Sequence, residues 1–236
     1  MTTVITAQVH CQVRRLARRE LESWAQSVFE YGQLGASKLT SIHDAHADVW
    51  LEQGSLKGRI AILASLTCIY IGIGNYGDFV QGVRTIAGQA RDASDFVIRS
   101  VDDLVGTRRG RVTYRRRQPG LPGSLERLFD SVSARRLTPS EATERAMALI
   151  RSEAETMPMG MEAELQAAIA DLGGVAWQPP DALRVATPPP VQAIHVAHEA
   201  PARGHLQPRR PPPPPRDRTR VHVWLDDKGK RRLEIR

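Results

Sequence analysis

Cysteine is nearly absent from this chain: Cys11 and Cys68 are the only two in 236 residues. Two thiols make neither a disulfide scaffold nor a cysteine-based zinc site. Aromatic residues are scarce too, at 5%. Leu, Ile, Val and Ala must therefore build the core, which favours helix packing over a large sandwich. No apolar run reaches the ~18–20 residues that cross a bilayer as a helix. The amino terminus lacks a basic segment followed by an apolar one, so no secretory signal is read and a reducing cytoplasm is expected. G-x-S-x-G, G-x-x-x-x-G-K-[ST] and H-E-x-x-H are all missing, and no acid, base and nucleophile stand in a recognisable spacing. The expectation is a protein that is not an enzyme and uses no cofactor or metal.

Proline, by contrast, is plentiful and uneven. Most of the 16 prolines lie between Pro179 and Pro215, so the packed part must be shorter than the chain. Charge is uneven as well. The net +7 resolves into −1 over 1–106, +6 over 107–117, −5 over 118–200 and +7 over 201–236. An excess confined to two short segments suits a polyanion, an acidic partner or an anionic membrane surface.

Periodicity points to helices. Residues 4–52 read as helix on the stripe Val9, Val13, Leu16, Leu21, Trp24, Val28 and Tyr31, with a break or hinge at Gly32 and Gly35. Ile60–Ile73 is apolar almost all round, which predicts a buried core helix, with a buried strand or a membrane-inserted segment as alternatives. Asn75–Asp78 reads as a turn with Asp78 capping a helix over Phe79–Val105. Residues 106–123 read as a linker, followed by helices over Leu125–Arg136, Pro139–Arg151 and Glu162–Leu172. The second of these starts with a capping box at Thr138 and Glu141. Pro211–Pro215 favours polyproline II. Val221, Val223 and Leu225 alternate with His222 and Trp224 ahead of a turn, which is a hairpin signal.

Candidate sites are weighed against plainer readings. His43, Asp44, His46 and Asp48 have metal-like spacing, but as a helix surface they do not converge on one face. His195, His198 and His205 sit in the proline-rich stretch, where nothing orients their rings. Gly72-x-Gly74-x-x-Gly77 matches a dinucleotide loop in letters but lies between helical patterns, with Tyr76 crowding any phosphate. Cys68 reads as a buried, inert thiol. The arginine cluster is more useful chemically. Arg108, Arg109, Arg111, Arg115, Arg116 and Arg117 offer guanidinium forks for phosphate oxygens, and Tyr114 among them can stack on a base. Arg220, Trp224, Lys228, Lys230, Arg231 and Arg232 form a second basic set, and a solubilising role is the plainer reading of both.

The sequence therefore predicts a mainly α protein, a helical bundle with a proline-rich disordered arm and a carboxyl-terminal β-hairpin. Its expected parts are a bundle with a central apolar helix (1–106), a basic linker (107–123), a small helical segment (124–174), a proline-rich linker (175–219) and a basic hairpin (220–236). The expected role is a non-enzymatic scaffold. The helical body would bind a protein partner or a second copy. The basic segments and hairpin would engage nucleic acid, another polyanion or an acidic protein. The alternative is a membrane-associated protein inserting Ile60, Ile62, Leu63, Leu66, Ile69, Tyr70, Ile71 and Ile73, with the arginines on anionic headgroups.

Overall fold

The amino-terminal residues TTVITAQVHCQ are rich in β-branched side chains and alternate Ala7, Val9 and Cys11 with Gln8, His10 and Gln12. They form a strand, β1 (Thr2–Gln12), not the start of a helix. In the computed structural model, which describes residues 1–14, 16–53, 56–107, 110–154, 156–174 and 219–236, β1 leads into α1 (Arg18–Ala36), β2 (His46–Glu52) and β3 (Leu56–Ala64). Then come α2 (Leu66–Gly74), α3 (Phe79–Thr107), β4 (Arg111–Pro119), α4 (Leu121–Ser133), α5 (Pro139–Glu153), α6 (Met161–Gly173), β5 (Arg220–Leu225) and β6 (Arg231–Ile235).

The six strands make one antiparallel sheet in the order β4-β1-β3-β2-β5-β6. β1 and β2 both pair antiparallel with β3 and so run parallel to each other. The first four strands with α1 and α3 thus follow the split-βαβ, ferredoxin-like succession. The helical-bundle expectation is overturned: the fold is mixed α/β, and the sheet draws on both ends of the chain.

Three segments carry the correction. Residues 4–52 were expected as helix throughout, but only α1 within them is helical. The four-residue spacing of Val9 and Val13 fits both periods, whereas the alternation of Ala7, Val9 and Cys11 with Gln8, His10 and Gln12 fits only a strand. Ile60–Ile73 is not one apolar helix. Ile60 and Ile62 lie buried in β3, the third strand from the β4 edge, and Leu63 is half-buried at its end. Ser65 then caps α2, its Oγ accepting from the Cys68 amide at 3.1 Å. In α2, Leu66, Ile69 and Ile73 are buried, Tyr70 is half-buried and Ile71 is exposed. The segment is core, and among the described residues no helix is long and apolar enough to cross a membrane. Finally, the supposed linker at 107–123 contains β4, an edge strand on β1, and the start of α4.

Other expectations match what forms. Both Asp78 carboxylate oxygens accept amides of the first turn of α3, from Val80 at 3.3 Å and Gln81 at 3.0 Å. Thr138 and Glu141 make a reciprocal capping box at the start of α5. The terminal hairpin forms, and its β5 pairs with β2 of the same chain.

α1 and α3 cover one face of the sheet. Ala7, Val9, Val49, Leu51, Ile60, Val112, Val221 and Val223 point into that layer with Leu21, Trp24, Val28, Val97 and Val101. Gly32 neither breaks nor hinges α1. A Cβ there would stand 2.6 Å from the Ala47 Cβ, so glycine lets the helix seat on β2. A second cluster joins α2, the first half of α3, α4, α5 and α6 around Ile73, Ile86, Phe129, Ile150, Leu165 and Ile169. The opposite face of the sheet keeps its polar and aromatic side chains outward.

Candidate functional site

That second face carries the residues that alternate with the core. In one cross-strand row, Arg116 of β4 lies opposite Gln8 of β1, Gln8 opposite Arg59 of β3, and Arg59 opposite Trp50 of β2. Trp50 in turn faces His222 of β5, and His222 faces Glu234 of β6. The next row runs Tyr114, His10, Lys57, Glu52 and Arg220. Side chains directly opposite on one face sit close enough to touch, so each row is a contiguous strip.

Three rings stack on this face. Trp50 and His222 lie 3.6 Å apart at 13°, and His222 and Trp224 lie 4.3 Å apart at 19°. Asp48 holds the stack from below: its Oδ2 accepts the Trp50 indole N–H at 3.3 Å, and its Oδ1 lies 2.6 Å from His222 Nε2. A carboxylate on Nε2 requires the proton there, so this hydrogen bond fixes the tautomer of His222. Beyond β3 and β1, at the β4 edge, Tyr114 rests against His10 with centroids 4.8 Å apart. Trp50 and Tyr114 are each 41% exposed, unusual for rings that a soluble core would claim.

The charges of the face are not all satisfied. Glu52 lies 3.8 Å from Arg220, Arg236 pairs with Glu234, and Arg232 pairs with Asp226. Lys57, Arg59 and Arg116 are exposed and make no ion pair among the described residues. Unpaired cation therefore concentrates over β4, β1 and β3, while the carboxylates sit over β2, β5 and β6.

The predicted arginine cluster is divided by the strand it forms. A register shift between His10 and Cys11 leaves Tyr114 and Arg116 on the open side. Arg115 and Arg117 reach α3 instead, pairing with Asp102 at 2.5 Å and Asp95 at 3.2 Å. Arg111 is exposed at the start of β4, and Arg108 and Arg109 lie outside the described residues. In the hairpin, Arg220, Trp224 and Arg232 join the open face, whereas Arg231 pairs with Glu30 of α1. Lys228 and Lys230 belong to the turn. Their amides donate to Asp226, and these bonds, with that from Arg232, hold its carboxyl below the usual carboxylate range.

Other candidates are placed elsewhere. His43, Asp44, His46 and Asp48 fall in a loop and on β2. Asp44 accepts the Ser65 amide at 2.9 Å, and His46 contacts the Asp44 carbonyl. No cluster of three metal-ligating side chains occurs among the described residues. Gly72–Gly77 joins α2 to α3, so no strand precedes it as a dinucleotide loop requires. Cys11 is buried in β1, and burial, with Asp102 nearby, pushes its thiol up to about 11. His195, His198, His205 and Pro211–Pro215 lie outside the described residues.

Sequence reasoning missed Trp50, Lys57, Arg59 and His222 as site residues. Their signal was present as strict alternation: His46, Asp48, Trp50 and Glu52 interleave with Ala47, Val49 and Leu51. No family model, curated protein or solved structure matches this chain.

Proposed function

We propose that this protein binds a phosphate-bearing polyanion across the open face of its sheet. The observation that carries the reading is the trio Lys57, Arg59 and Arg116, exposed on this face and without an ion pair among the described residues, whereas Arg220, Arg232 and Arg236 have carboxylate partners. Arginine forks suit phosphate oxygens, and a flat sheet lets a long ligand contact all three at once. The hairpin contributes by widening the sheet from four strands to six.

The test is a salt series on the full chain with a fluorescein-labelled oligonucleotide and with inorganic polyphosphate. Counterion release makes log K fall linearly with log[salt], by about 0.7 per phosphate contact on a single strand. The triple variant Lys57→Gln, Arg59→Gln, Arg116→Gln should flatten that slope by about 2. Absence of binding at low salt, or equal binding of polyglutamate, overturns the reading.

A further inference from the structure

Resting on that reading, we infer that the polyanion is a single-stranded nucleic acid, with unpaired bases stacked on Trp50 and Tyr114. The argument starts from how the ring stack ends. Trp224, His222 and Trp50 are layered side by side across β5 and β2, so one face of the Trp50 ring meets His222. Its other face looks toward β3, where the cross-strand neighbour is Arg59 and not a further ring. The stack therefore terminates at an open aromatic face beside an unpaired guanidinium. A base laid there continues the stack, and Arg59 can cover it or hold its phosphate.

Asp48 gives this end its rigidity. Because its two oxygens fix both Trp50 and His222, the ring is held in place before any ligand arrives. Tyr114 offers a second stacking surface at the β4 edge, tilted 39° to His10. Between the two aromatic positions lie Gln8, Lys57 and Arg59, whose side chains make no hydrogen bond or ion pair among the described residues. The layout is base, phosphates, base. The carboxylates Asp48, Glu52 and Glu234 bias the backbone away from β5 and β6, toward the free cations.

Other polyanions do not use the rings. An acidic peptide satisfies the arginines but offers no flat face. A duplex keeps its base faces stacked internally, and a flat platform enters neither groove. Only an unpaired strand presents phosphates and ring faces together.

The experiment compares four probes on the full chain over one common salt series: a single-stranded oligothymidylate, an abasic oligomer of the same length, a duplex containing the same strand, and inorganic polyphosphate. The oligothymidylate should bind more tightly than the abasic oligomer by about 5- to 150-fold per stacked base. Trp50→Ala should remove most of that advantage while the salt slope stays the same. Trp50→Phe should keep most of it, which separates stacking from a folding defect. Equal, salt-dependent binding of abasic and base-bearing strands overturns this inference and leaves the polyanion reading standing. A preference for duplex overturns it as well. Failure of all four probes to bind overturns both.

Discussion

On the helix-covered side of β2, Val49 is closed to solvent, while Trp50, one residue along, is 41% exposed. The same alternation holds along β3, where Leu56, Gly58 and Ile60 are buried and Lys57 and Arg59 are exposed. One face is aliphatic and silent; the other carries rings and unpaired cations. The difference teaches where stability resides and which face is left available for the proposed ligand. A residue on the covered face excludes water from α1 and α3, whereas one on the open face costs the fold little and can be spent on a ligand.

The strongest way to break this comparison is to put a charge on the covered face. Val49→Asp places an unpaired carboxylate among Ala47, Ile60, Val221 and Val223, all 0–1% exposed. Its expected cost is about 3–5 kcal/mol, a large part of the ~5–15 kcal/mol that folds a domain. Denaturant unfolding should show a collapsed midpoint or no folded state at all. Trp50→Asp, on the adjacent residue, should shift the midpoint far less. Equal losses from the two would dissolve the distinction between the faces.

Deleting residues 220–236 tests whether the hairpin is part of the sheet or an appendage to it. Val221 and Val223 are fully buried against the layer that also holds Val49 and Leu51. At about 1.5–3 kcal/mol for each aliphatic side chain returned to water, the loss should be about 3–6 kcal/mol. The expected outcome is a truncated protein with a lower denaturation midpoint and a newly exposed β2 edge prone to association. A truncated chain as stable as the full one would make the hairpin an independent module.

How much of this could be read from the sequence differs by element, for physical reasons. α3 was legible because Val83, Ile86, Ala90, Ala93, Val97 and Val101 recur at helical spacing within a helix of 29 residues, with Asp78 as a start signal. The hairpin was legible from its alternation and its turn, and α5 from its cap. β1 and β2 were not, because an 11- or 7-residue strand offers few periods, and its apolar positions also fit spacings of three and four. β3 and α2 merged into one apolar run because the boundary is a single residue, Ser65. For the site, Tyr114, Arg116 and Trp224 were visible as a charge and aromatic pattern. The alternation marks Trp50 as a residue of an open strand face, but that it stands opposite Arg59 follows only from cross-strand register, since pairing in space leaves no local mark on the chain.

A smaller effect on the covered face comes from Cys11. Its thiol is raised from 9.0 to about 11 by burial, so the native state keeps the proton that the unfolded state loses. The associated stability is complete below pH 9 and is lost as pH rises from 9 toward 11. About two pH units of differential ionisation correspond to about 2–3 kcal/mol. Urea unfolding of wild type against Cys11→Ala across that range should show the two curves converging in slope below pH 9, with only wild type carrying this extra fall above it. Parallel curves throughout would mean that the thiol ionises equally in both states.

The smallest expected effect on stability is also the one that most sharpens the contrast. Lys57, Arg59 and Arg116 project from strands whose alternate residues, Gly58, Ile60 and the helix-paired Arg115 and Arg117, hold the sheet against α1 and α3. Neutralising all three removes no ion pair and opens no cavity, so each change should stay within about 0.5 kcal/mol in a denaturation curve. Removing like charges that stand on β3 and β4, on either side of β1, should move that curve slightly toward greater stability. The same triple variant is expected to lose most of its salt-sensitive affinity for polyphosphate and oligonucleotide. A variant that folds as well or better and binds worse separates the two faces by function, the covered one serving the fold and the open one the ligand. If the variant instead unfolds readily, the three cations belong to the fold after all, and the open face loses its claim as a binding surface.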